Sequence, residues 1–93
     1  MLAVVAQIKV KPGAEAQFET IAAELAAASR QEAGCVEYDL WRTNETGVYA
    51  FVEKYRDADA ADAHRKSDHF RTIGKAMGAF MDGPPTVLRL TSV

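Results

Sequence analysis

Cysteine is nearly missing from this chain: its 93 residues include one, Cys35. A single thiol forms no internal disulfide and no cysteine-based metal cage. Histidine is almost as scarce, with His64 and His69 alone. Metal sites generally need three or four ligands, and the other candidates are scattered acids, so no metal is expected. There is no basic run. Eleven Lys and Arg are interspersed with thirteen Asp and Glu for a net charge of −2, and cations cluster no further than pairs such as Arg65-Lys66. A phosphate-tracking surface needs a basic stripe, which argues against nucleic acid as a partner. No apolar run approaches the ~20 residues of a membrane helix, so no membrane partner is expected. The apolar start, Met1 to Val10, is short, and the positive charges of Lys9 and Lys11 lie on its far side, unlike a secretory signal. The expected compartment is the cytoplasm. Walker loop, dinucleotide fingerprint and Ser-His-Asp signature are all missing.

What is present reads as one domain spanning residues 1–93. Apolar residues make up 48% and charged residues 26%, values of a globular chain. A chain this short buries only about 60–65% of its unfolded surface. Added support is expected from a second copy, a homodimer. Residues 3–10 are rich in β-branched side chains and stop at Pro12-Gly13, a strand and turn. Val4, Ala6, Ile8 and Val10 share one face of it.

Residues 14–33 predict a helix, with Phe18, Ile21, Ala22, Leu25, Ala26 and Ser29 on one stripe. Gly34 is expected to cap it in the left-handed conformation. Residues 35–43 and 48–56 predict a hairpin about the turn Asn44-Glu45-Thr46-Gly47. Val36, Tyr38 and Leu40 share one face of the first strand. Tyr49, Phe51, Glu53 and Tyr55 share one of the second. Asp57 N-caps a helical segment that breaks at Ser67-Asp68, and a second helix runs from about His69 to Met81 until Gly83-Pro84-Pro85. The strand TVLRLTSV closes the chain. The order β-α-β-β-α-β, with its second helix broken, is the α+β ferredoxin-like split βαβ arrangement with a four-stranded antiparallel sheet. Helices on one face leave the other face for a dimer partner.

Few residues are suited to chemistry. His64 and His69 lie about 140° apart on a continuous helix, but a break at Ser67-Asp68 frees them to converge. A histidine here is a general base or substrate donor, or else a packed or capping side chain. Glu53 sits between Phe51 and Tyr55 on a face that should be covered. A buried carboxylate needs a partner, either a histidine it orients or a neighbouring cation. Tyr38, Trp41, Phe51, Tyr55, Phe70, Met77 and Phe80 are core, or in part the lining of an apolar pocket. Tyr55 and Trp41 carry polar tips that want partners. Cys35 has no activating neighbour in sequence and reads as a small buried hydrophobe.

Four fragments in order, "VVAQIKVKPGAEAQF", "QEAGCVEYDLWR", "FVEKYRDADAADAHRKSDHF" and "MDGPPTVLRL", resemble the antibiotic biosynthesis monooxygenase (ABM) domain over nearly the whole chain. The resemblance implies a dimeric α-β barrel and a cofactor-independent monooxygenase that oxidises a small quinol- or anthrone-like aromatic with O₂. It implies His64 as base or orienter, Glu53 as its partner, His69 and Tyr55 as donors to substrate oxygens, and Trp41, Phe51, Phe70 and Met77 as walls. Haem-degrading members resemble an Asn, a Trp and an iron-ligating His at about Ala6, Tyr55 and Gly74, which disfavours haem here. Another branch, similar around "YRDADAADAH", isomerises a small phosphorylated signal and would draw on cations such as Lys54, Arg56 or Arg42. A third reading is a non-catalytic dimeric ligand-binding or stress-response module.

Overall fold

The computed structural model describes all of residues 1–93. Strand β1 (Leu2–Lys9) leads into helix α1 (Glu15–Arg30), followed by the hairpin β2 (Cys35–Arg42) and β3 (Val48–Tyr55). Helices α2 (Ala58–Lys66) and α3 (Asp68–Gly78) follow, and β4 (Thr86–Thr91) closes the chain. The antiparallel sheet has the order β2-β3-β1-β4, the expected ferredoxin-like topology. No helix is long and apolar enough to cross a membrane.

Side-chain alternation decides which face the helices cover. Val4 and Ile8 of β1 and Tyr49, Phe51 and Tyr55 of β3 are buried. They pack against Phe18, Ala22 and Leu25 of α1, Ala61 of α2 and Met77 of α3. Phe18, Ala22 and Leu25 recur at the 3.6-residue period read from the sequence. The register puts Tyr38, Glu53, Val4 and Arg89 in one row across all four strands, on the helix side. The neighbouring row, Asp39, Val52, Val5 and Leu88, faces outward. Leu88 and Leu90 are 57% and 44% exposed, and no helix covers this side.

Four details differ from the sequence reading. Helix α1 ends at Arg30, and Gln31 caps it in the right-handed conformation. Positive φ is confined to Gly13, Gly47 and Gly83, so Gly34 is no left-handed cap. Gly34 instead answers a packing need: a Cβ there would lie 2.3 Å from the Ala60 Cβ. Helix α3 stops at Gly78, short of Met81, because the chain then bends back to pair, with Lys11 N–H donating to Phe80 O and Asp82 N–H to Lys9 O. Val36 is 51% exposed, away from the covered face of Tyr38, because a β-bulge between Cys35 and Glu37 interrupts the alternation.

Candidate active site

The junction of α2 and α3 places the two histidines. Ser67 is the C-cap of α2 and the N-cap of α3, with extended backbone. Its hydroxyl donates to His64 O at 2.7 Å and accepts from Phe70 N–H at 3.2 Å. The chain turns at this serine, so His64 in the last turn of α2 meets His69 in the first turn of α3, with ring centroids 6.1 Å apart. Both converge on Glu32, in the link between α1 and β2. The Glu32 Oε2 lies 2.8 Å from His64 Nδ1 and 2.5 Å from His69 Nε2. Buried Gly34 lets this link sit against Ala60 at the start of α2, and Arg56 N–H donates to Gly34 O at 2.9 Å. Close approach of link and helix is what brings the carboxylate to the imidazole.

Charge and valence then set the protonation pattern. An ionised carboxylate only accepts, so each imidazole donates its facing N–H to Glu32. In neutral His64 this fixes the proton on Nδ1 and leaves the lone pair on Nε2. That Nε2 is buried and meets no protein partner. Tyr38, Tyr55 and Phe70 pack round the ring at centroid distances of 5.1, 5.5 and 4.9 Å. Burial among them lowers the His64 pKa from its ordinary 6.5, against the opposing pull of Glu32. Near neutral pH His64 is therefore an uncharged base of fixed tautomer.

His64 lines a cavity of about 250 Å³ between sheet and helices. Val4, Ala6 and Phe51 form its floor, and Phe70 and Met77 of α3 form its roof. Exposed Arg65, Pro85, Val87 and Arg89 stand at its rim. Within it lies Glu53, 6% exposed, which accepts from the Tyr55 hydroxyl at 2.5 Å. Burial pushes the Glu53 carboxyl up to about 7, against the Tyr55 hydrogen bond and, more weakly, the positive charges of Arg65 and Arg89. The cavity thus holds a base and a carboxyl that is half protonated near neutrality, in an apolar enclosure.

His64, Glu53, Tyr55, Phe51, Phe70 and Met77 come together at this cavity. Trp41 does not: it is 59% exposed near the far end of β2, beside Arg42 and Tyr49. Its position alternates to the outer side of the sheet, opposite Ala50. His69 stands behind His64 with its Nε2 held by Glu32, and it is not part of the cavity wall. The Tyr55 hydroxyl is spent on Glu53 rather than offered to a guest. Glu53 is not the partner of His64, since Glu32 has that place. Glu32 carries a signal the sequence reading passed over. A carboxylate just past a helix C-terminus faces the negative end of the dipole, so local rules disfavour it there. Arg65 and Arg89 were passed over too. In TVLRLT the cation Arg89 falls on the same face as Val87, the side that meets the cavity.

Glu32, His64 and His69 are also the one group of metal-type ligands, their donor atoms lying within 4.8 Å of one another. Separations of 2.8 and 2.5 Å are those of hydrogen bonds. Two ligands about 2.0–2.1 Å from one tetrahedral zinc would stand about 3.3 Å apart. The arrangement fits a proton-holding triad better than a metal centre. The cations that a phosphorylated substrate was expected to use lie outside the cavity. Lys54 pairs with Glu37, Arg56 with Asp57 and Arg42 with Glu19.

Residues 1–76 match the antibiotic biosynthesis monooxygenase family. A protein of Bacillus subtilis strain 168 named "Putative monooxygenase YcnE" is 31% identical over 90 residues, covering 96% of this chain and 95% of the relative. "Putative monooxygenase Rv0793" of Mycobacterium tuberculosis strain H37Rv is 29% identical over 86 residues, covering 92% and 85%. Among solved structures, a "putative antibiotic biosynthesis monooxygenase" from Caulobacter crescentus CB15 is similar with a TM-score of 0.95 and 40% identity, covering 99% of this chain and 89% of that one.

Proposed function

Because the chain belongs to the antibiotic biosynthesis monooxygenase family, we propose that it is a cofactor-independent monooxygenase that oxidises a small quinol-like aromatic with O₂. The observation that carries this reading is the buried imidazole of His64 lining an apolar cavity, with Nδ1 tied to Glu32 and Nε2 left without a protein partner.

The chemistry follows from those groups. A phenolic hydroxyl of a flat guest meets His64 Nε2, which takes its proton. Glu32 steadies the imidazolium that forms. The electron-rich anion passes one electron to O₂, and the radical pair combines at a ring carbon as a peroxide, to which His64 returns the proton. The O–O bond then breaks and expels hydroxide. Glu53 gives its proton to that hydroxide, which leaves as water, and regains one from the ring carbon as a new carbonyl forms. For a quinol the sum is quinol plus O₂ to hydroxyquinone plus water. Apolar walls exclude water from the anion and its peroxide. The same reading includes a homodimer, in which a second copy covers the outer sheet face of Val5, Val52, Leu88 and Leu90.

Turnover of a quinol under ¹⁸O₂ tests the reaction type. One labelled oxygen in the product quinone and one in water is the expected result. Label released only as hydrogen peroxide would make the protein an oxidase, and binding with no oxygen consumption would leave a ligand-sequestering module.

A further inference from the structure

The rim of the cavity holds a cation without a counter-ion. Five of the six arginines have a carboxylate partner: Arg30 with Asp39, Arg42 with Glu19, Arg56 with Asp57, Arg65 with Asp62, and Arg71 with Asp68. Arg89 has neither an ion pair nor a side-chain hydrogen bond, and it is the one arginine on β4. Register places it on the cavity side, since Val4 pairs with Glu53 on one flank and with Arg89 on the other. Two strand spacings, about 10 Å, separate the backbones of Glu53 and Arg89. His64 packs on Tyr38 and Tyr55, from β2 and β3, so the proton-active pole lies away from β4. The cavity is bipolar: a base and a carboxyl at one end, a guanidinium at the other, and apolar walls between.

Volume limits what spans those poles. A dry cavity of about 150 Å³ accommodates one benzene ring. The 250 Å³ here fits one or two fused rings and is small for three. A guanidinium fork matches a carboxylate through two parallel N–H···O bonds. We infer that the preferred guest is a hydroxylated aromatic of one or two rings that carries a carboxylate, with its rings against Phe51, Phe70 and Met77 and its carboxylate on Arg89. The assignment of the hydroxyl to the His64 end rests on the oxygenase reading, whereas the anion site stands on the rim itself. A phosphorylated sugar fits worse, because its hydroxyls would lie unpaired against the apolar walls.

Equilibrium titration of the whole protein without oxygen tests this, with a dihydroxynaphthoate, the matching dihydroxynaphthalene, anthrone and ribose phosphate as probes. The naphthoate should bind about ten- to hundredfold tighter than the naphthalene, the effect of one charge-assisted pair. Anthrone and ribose phosphate should bind more weakly than the naphthoate. Arg89→Gln should bring the two naphthalene compounds within about twofold, Arg89→Lys should restore part of the gap, and Arg71→Gln should leave it unchanged. Equal binding of the two compounds by the native protein, a gap that persists in Arg89→Gln, or tightest binding of ribose phosphate or anthrone would overturn the inference. Admitting oxygen afterwards separates it from the oxygenase reading. Selective binding without oxygen uptake keeps the anion site and removes the oxygenase, and uptake without selectivity does the reverse.

Discussion

Glu53 and Glu32 are both carboxylates within the covered region, yet their surroundings give them opposite tasks. Glu32 faces two imidazoles and holds both through one carboxylate oxygen. Glu53 has one phenol donor and a dry setting, and holds its proton up to about pH 7. The folded protein binds that proton more tightly than the unfolded chain, whose carboxyl titrates near 4.5. Stability from this group is therefore complete below pH 4.5 and is lost as pH rises through 7, by on the order of 3 kcal/mol. His64 acts in the opposite sense, but only below its ordinary value of 6.5. Glu53→Gln keeps an acceptor for Tyr55 and removes the titration. Urea unfolding at pH 5 and pH 8 should show the native protein losing stability relative to this variant as pH rises. Glu32→Gln removes the charge that supports the imidazolium, so the His64 pKa falls further. The acid limb of kcat/KM should move to lower pH and turnover should drop roughly tenfold or more, read from rate profiles of both proteins.

At the scale of elements, the corners do the positioning. The α1–β2 link and the α2–α3 junction each hold one side of the Glu32–His64 contact. Ala at position 34 would drive a methyl into Ala60 at 2.3 Å. Gly34→Ala should destabilise by about 1–3 kcal/mol, the range for overpacking, and should slow turnover by moving Glu32 from His64. Adding Ala60→Gly should recover both, as thermal melts and rates would show. Ser67→Ala removes the α3 cap and should cost about 1 kcal/mol in the same melts.

These corners also mark where sequence reading ends. The α1 stripe and the β3 alternation were legible because one period repeats over several residues. The meeting of His64 and His69 was legible because a helix-capping serine stands between them. Glu32 was not, because it joins His64 across 32 residues through the path of a loop, which no local period encodes. Trp41 was misplaced because residue type suggests a pocket wall, whereas strand parity puts it on the outer face.

For the whole molecule, the sheet divides an acid-base interior from a bare exterior. Val5, Val52, Leu88 and Leu90 are contiguous across β1, β3 and β4 on the side without helices. Sedimentation at micromolar concentration should find a dimer, and Leu88→Asp should shift it towards monomer. A stable monomer of the native protein would remove the second copy from the account. The interior is tested most directly by oxygen consumption with one- and two-ring quinols, measured for the native protein and for His64→Ala, both shown folded by circular dichroism. The account predicts one O₂ consumed per quinol by the native protein and a loss of about 10²–10⁴-fold in the variant. Equal rates for the two proteins, or no consumption of any quinol that binds, would contradict it.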